Sequence, residues 1–420
     1  MIKTYRLSNG MQVIIEDMPY LRSVAFGLWV KTGSAYENEA NNGIAHLIEH
    51  MLFKGTSNHS AKELADMMTA IGGNLNAFTA KECTSFYVRT LDIHLEKAIE
   101  IIGDMICNSL FLPKDISKEK QVVLDEIDMY NDSPEDLVHE LLQKKVWDKH
   151  PLGYIISGSK KNVKSFKQRD ISDFFNDNYT ADNMVISIAG HCDVERILDV
   201  LEKHFGGIKA ASGIRHKISK PTYKKVFVKK HKDIEQVHLN VAFDSVGYQS
   251  DDRYTLSIAN AILGGSLNSR LFQHIREELG LTYSIYSYES LYRDTGLFHI
   301  YAAMNPSQLE YVFDEIRLLV KHFVLDGITA RELEDTKEQL VTEYILGLES
   351  TNFRMENNAK YLLLQENCVT LDEITDKIKS VSMDDVKNYL ERYVDMDNAS
   401  VCVVGNMNEI NINNIMEVRK

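Results

Sequence analysis

The sequence predicts an α+β protein of two duplicated halves, each a mostly antiparallel sheet covered by helices. Three observations point there. Strand-like segments come in adjacent pairs, without the strict strand–helix alternation of a doubly wound parallel sheet. A strand followed by an amphipathic helix recurs at half-chain period, in SFYVRTLDIHLEKAIEIIGDMICNSLF (85–111) and LFHIYAAMNPSQLEYVFDEIRLLVKHFVL (297–325). Each half also closes alike, with Asn183 before MVISIAG and Asn398 before ASVCVVG.

The elements follow in order. RLSNGMQVIIED reads as a hairpin, because Asn9-Gly10 between alternating apolar residues favours a tight turn. SVAFGLWVKTG is the next strand, and GIAHLIEHMLFKGT (43–56) has helical spacing. After the strand and helix of 85–111, SKEKQVVLDEIDMYND (117–132) is a further helix, and VKSFKQRDISDFFNDN another, ahead of the closing strand. Residues 209–224 bear Gly, Ser and Lys without apolar periodicity, which makes them a linker. The expected domains are therefore 1–208 and 225–420, joined by 209–224. The second half reopens with the strands KVFVKK and QVHLNVAF and closes with the helix IKSVSMDDVKNYLER and a strand.

Composition narrows the function classes. Of 420 residues, 44% are hydrophobic and 26% charged, enough to bury a full core and too apolar for a disordered chain. With 47 Lys+Arg against 61 Asp+Glu, the formal charge is −14, which argues against a general nucleic-acid or anionic-membrane binder. Five cysteines (Cys83, Cys107, Cys192, Cys368 and Cys402) are odd in number and show no CxxC spacing, as expected of free thiols in a reducing compartment. The N-terminal stretch lacks the apolar core of a signal peptide, and no run of about 18 apolar residues occurs. The expectation is a cytoplasmic chain without a membrane span.

The chemistry concentrates in 43–56. His46 and His50 stand four apart on a helix, so their rings share a face and can share a metal. Glu49 lies beside them, in the H-x-x-E-H arrangement of two zinc-ligating histidines and a glutamate general base. A hydrolytic zinc site needs a third protein ligand. The helix 117–132 offers Glu119 and Glu126, seven apart and so on one face with Val122, Val123, Ile127 and Tyr130. Either a metal partners these carboxylates, or the helix is turned and both are solvated; the pattern alone leaves both open. The remaining histidines, His59, His94, His139, His150, His231 and His238 among them, show no second ligand spacing.

LSNGMQVIIE, KTGSAYENEANNGIAHLIEHMLFKGT, GGNLNAFTAKECTSFY, EKQVVLDEIDMYNDSPEDLV and GGSLNSRLFQHIREELGLTYSIYS together resemble the pitrilysin/insulinase/mitochondrial-processing-peptidase group of zinc metallopeptidases. The resemblance covers nearly the whole chain. It implies a zinc-dependent endopeptidase with one zinc per chain, held by His46, His50 and Glu126, the last standing 76 positions after His50. It further implies Glu49 as general base and Glu119 as a glutamate supporting catalysis.

The second half has no H-x-x-E-H; DDRYTLSIANAILGG (251–265) stands at the equivalent place. There the resemblance implies that Arg276 and Tyr283 bind substrate backbone and stabilise the tetrahedral intermediate, a role that guanidinium and phenol donors suit. It also implies an extended peptide substrate laid along Asn76, Ala77, Phe78 and Thr79 as an added strand. Chains of this length resemble half of the longer insulinases, which implies a homodimer with Arg276 and Tyr283 serving the partner's zinc. The alternative is a non-catalytic assembly or chaperone-like subunit of the same fold. The acidic charge is either surface solubility or a chamber favouring basic peptides.

Overall fold

The computed structural model describes residues 2–211, 218–365 and 370–407; residues 212–217 of the expected linker, and Cys368, lie outside the described residues. The chain forms two compact units: 1–128 with 154–219 and 346–368, and 129–153 with 220–345 and 369–420. Each half of the sequence thus gives a segment to the other half's unit. No helix among the described residues is long and apolar enough to cross a membrane.

The first unit holds a six-stranded sheet. Its strands are β1 (Ile2–Arg6), β2 (Gln12–Asp17), β3 (Ser23–Val30), β4 (Asn74–Thr79), β5 (Thr84–Leu91) and β6 (Met184–Gly190), in the order β1-β2-β6-β3-β5-β4. Only β2 and β6 run parallel. Gly10 has φ 88° in the β1–β2 turn, a conformation open to glycine at no steric cost.

Strand alternation sorts the side chains between two covers. Val13, Ile15, Val24, Phe26 and Leu28 join the large core with the helix Leu95–Asn108. Ile14, Ala25, Trp29, Val185 and Ala189 pack on Met355 and Ala359 of the helix Thr351–Lys360. Gly27 permits that approach, since a Cβ there would come within 2.5 Å of Met355 Sδ. Arg354 and Asn358 of the same helix bind the buried Glu16 of β2.

The second unit repeats the pattern with β7 (Phe227–His231), β8 (Val237–Ser245), β9 (Ser284–Leu291), β10 (Gly296–Met304) and β11 (Ser400–Gly405). The order β7-β11-β8-β10-β9, with β7 and β11 parallel, matches β2-β6-β3-β5-β4 strand for strand. Val237, Leu239, Val241 and Phe243 of β8 join Phe298 and Ile300 of β10 in its core. The opposite face meets the helix Pro134–Val146 through polar aromatics. His139 Nδ1 lies 2.5 Å from Tyr288 Oη and 2.7 Å from Asn240 Nδ2.

Some expected helices differ in extent. VKSFKQRDISDFFNDN splits into Lys160–Ser165 and Gln168–Asn178, and the closing helix into Leu371–Ser380 and Met383–Tyr393. Each second member begins a fresh turn with a capping acid, Asp170 or Asp385.

Candidate metal centre

The helix Ile44–Leu52 is amphipathic by design of its sequence. Ile44, Ala45, Leu47, Ile48, Met51 and Leu52 are buried, which turns His46, Glu49 and His50 to the opposite side. Its start is unusual. Gly43 has φ 100°, and a Cβ there would meet Ser157 O at 2.8 Å, so no capping side chain fits. The buried Glu37 supplies the cap from outside, accepting from Gly43 N at 2.9 Å, Ala45 N at 2.8 Å and Asn42 Nδ2 at 2.8 Å. Burial pushes the Glu37 acid up to about 7, against the pull of those donors. Sequence reasoning missed Glu37; the signal was an acid six residues ahead of the Gly43 N-cap of a helix lacking its own capping side chain.

The third group comes from the helix Pro113–Asp132. Its Ile116, Val123 and Ile127 are buried, and that seat aims both glutamates at the histidines. Val122 is 47% exposed and falls off the expected face, since it stands three residues from Glu119 but on the flank of the buried stripe. Glu126 Oε1 lies 3.6 Å from His46 Nε2, and Glu126 Oε2 lies 3.5 Å from His50 Nε2. One ligand atom from each of the three lies within 4.8 Å of the others, the one such group among the described residues.

These residues fit zinc. Two atoms each about 2.0–2.1 Å from a tetrahedral zinc stand about 3.4 Å apart, close to the observed separations. Burial pushes His46 down, which keeps it a neutral imidazole, and a hydrogen bond with His50 holds Glu126 below the usual carboxylate range. Burial lowers His50 too, but Glu126 and Glu119 outweigh it and raise that imidazole, so a metal held there would displace its proton. His50 Nδ1 lies 3.3 Å from Glu119 Oε2, and Glu119 Oε1 lies 2.8 Å from Lys54 Nζ. Glu119 is therefore buried against Nδ1 of His50, which leaves Nε2 of that ring to the cluster. Lys54, one turn past His50, was also missed.

Glu49 is half-buried, and burial raises its acid, opposed by a hydrogen bond from Thr79 Oγ1 to Oε2 at 2.6 Å. Thr79 ends β4, an edge strand that among the described residues pairs only with β5. Of the other expected edge residues, Asn76 Oδ1 accepts from Ala77 N, while Ala77 packs on the main core and Phe78 on Trp29. The open backbone edge, not these side chains, is what β4 offers.

Arg276 and Tyr283 belong to the second unit. The Arg276 guanidinium lies 4.6 Å over the Tyr283 ring and 4.5 Å over that of Phe272, and Tyr283 is 79% exposed.

Fold and site define a class: a duplicated α+β chain in which one half alone carries an H-x-x-E-H helix completed by a distant glutamate. Comparisons with known proteins agree. Residues 12–160 match the family model described as Insulinase (Peptidase family M16), and residues 165–340 that of the Peptidase M16 inactive domain. The uncharacterized zinc protease YmxG of Bacillus subtilis is 41% identical over 97% of this chain and 100% of its own. An uncharacterized zinc protease of Rickettsia felis is 35% identical over 91% of this chain and 92% of its own. The chain belongs to the insulinase family, peptidase family M16. Among solved structures, a protease from Helicobacter pylori aligns with TM-score 0.89 at 22% identity, over 96% of this chain and 99% of its own. A chain of complex III2 from Candida albicans aligns with TM-score 0.84 at 20% identity, over 99% and 100%. Both share the fold.

Proposed function

We propose that the chain is a zinc-dependent endopeptidase that hydrolyses peptide bonds in peptides or unfolded polypeptide segments. The observation that carries this reading is the convergence of His46, His50 and Glu126 within 4.8 Å, with Glu49 beside them. One zinc per chain would be held by these three ligands, where it supplies Lewis-acid polarisation and makes water acidic near neutral pH.

The chain's own groups do the rest. Glu49 takes a proton from the attacking water and returns it to the leaving amine. Glu119 acts through His50, as a positioning residue. The substrate pairs in extended form with the free edge of β4, so backbone hydrogen bonds give affinity with loose sequence preference. Arg276 and Tyr283 donate to the developing oxyanion, serving the partner's site in a homodimer. Reduced thiols at Cys83, Cys107, Cys192 and Cys402, free in the structure, accord with a cytoplasmic setting.

The second reading is a non-catalytic assembly or chaperone-like subunit of the same fold; a chain of complex III2 from Candida albicans shares that fold. Metal analysis and peptide cleavage by wild type and Glu49→Gln separate the two. Zinc in both chains with cleavage lost only in the variant is expected. Wild type with zinc and no cleavage of any unfolded peptide would leave the subunit reading standing.

A further inference from the structure

We propose that Thr79 is the positioning residue of the general base, so that docking a peptide strand on β4 and orienting Glu49 are one event. This rests on the endopeptidase reading above and adds a residue and a coupling to it.

The geometry is direct. Thr79 Oγ1 donates to Glu49 Oε2 at 2.6 Å, a short charge-assisted bond that links the edge strand to the helix bearing the histidines. In the segment 76–79 the other side chains are committed elsewhere. Asn76 turns onto its own strand, and Ala77 and Phe78 pack into the two cores flanking the sheet. Thr79 alone sends a polar group to Glu49. A hydroxyl can donate to the carboxylate and hold one of its oxygens, leaving Oε1 as the oxygen presented for proton transfer.

The backbone explains the coupling. Thr79 pairs with Thr84 of β5 on one side, and among the described residues no strand covers the other side of β4. A strand with one neighbour is held less firmly than one with two, and a peptide bound at the open edge supplies the second neighbour. Binding energy realised along β4 then reaches the base through Thr79. Peptides too short to pair along the strand should lose kcat as well as affinity, as expected when remote binding energy serves the chemical step.

The experiment compares wild type, Thr79→Val, Thr79→Ser and Glu49→Gln on one unstructured peptide, with zinc content measured for each. Thr79→Val should lower kcat about 10- to 100-fold, the scale of a misplaced catalytic group, with KM changed less than about threefold and zinc retained. Thr79→Ser should restore kcat to within about threefold of wild type. An unchanged kcat in Thr79→Val, a loss confined to KM, or a Ser variant as impaired as the Val variant would each overturn the proposal. Activity surviving in Glu49→Gln overturns the general-base reading itself; a dead Glu49→Gln beside a fully active Thr79→Val overturns only the role of Thr79. Crystal structures of zinc-loaded wild type and Thr79→Val give an arm that needs no turnover. Glu49 should leave its place in the variant, and an unchanged Glu49 conformer overturns the proposal even if no peptide is cleaved.

Discussion

The helices Ile44–Leu52 and Asp252–Asn260 occupy matching places, each following the central strand β3 or β8 and preceding the edge strand β4 or β9. Both bury an apolar side, Ile44, Leu47, Ile48 and Met51 in one and Leu256, Ile258 and Ala259 in the other. Both also join their edge strand through a carboxylate–hydroxyl bond, but with the groups exchanged. In the first unit Thr79 of β4 donates to Glu49 of the helix; in the second, Ser257 of the helix donates to Glu289 of β9 at 3.0 Å. The fold's packing is shared by both copies, whereas, among the described residues, a His-His-Glu cluster that could hold a metal stands in one alone. Scaffold and metal-binding residue types are therefore separable on this architecture, and the bond proposed to aim Glu49 in one unit has its counterpart in the other on a helix that carries no histidine.

That contrast can be broken most severely at Glu49. Glu49→Gln should cut kcat/KM by at least about 100-fold with zinc retained. Ser257→Ala, which removes the matching bond in the other unit, should leave kcat/KM within about threefold and lower stability by about 1–3 kcal/mol instead. A comparable activity loss in both would end the distinction between the helices.

Next in size is the support of His50. Glu119→Gln should weaken zinc about 10- to 100-fold in a chelator competition, with Lys54→Met moving the same way by less. Zinc affinity unmoved by Glu119→Gln would assign that carboxylate to another task.

The helices that each half contributes to the other's unit sharpen the comparison further. Thr351–Lys360 sits on an apolar seat and Pro134–Val146 on a polar one. Met355→Ala should cost about 2–5 kcal/mol in denaturant melts, through lost burial and the cavity left. His139→Ala should cost about 1–3 kcal/mol, through the partners left unsatisfied. Reversed magnitudes would mean that the polar seat is the stronger one.

The smallest effect is a pH slope. Burial pushes Glu289 up to about 7, while the unfolded chain releases that proton near 4.5. The native state binds more protons at Glu289 between these values, so this group's contribution to stability is fullest below 4.5 and falls as pH rises towards 7. Glu289→Gln should flatten this part of the profile, read from thermal melts between pH 4.5 and 7.5. An unaltered slope would show that Glu289 is not its source.

Local pattern carried much of the molecule. The Asn9-Gly10 turn, the strand–helix pair of each half and the lone H-x-x-E-H helix were legible because period and turn chemistry act between near neighbours in sequence. Matching strand order in the two units also accords with the repeat read from sequence. By spacing alone, Glu119 and Glu126 stayed ambiguous, since a helix can be turned either way until something packs on it.

By itself the sequence determined which segments become strands and helices, that the chain is duplicated, and that one copy alone bears metal-binding residue types. Only the tertiary structure decided their partners. Burial of Val123 and Ile127 turned Glu126 towards the histidines, and Glu119 landed between His50 and Lys54. Glu37 became the cap of a helix that has no cap of its own. The helices Pro134–Val146 and Thr351–Lys360 each crossed to the other half's unit. The physical reason is common to all of them. Sequence periodicity states that a face must be buried, but not against what, and a buried polar group records only that it needs a partner. Those choices are made when distant segments meet and the cheapest satisfied packing wins.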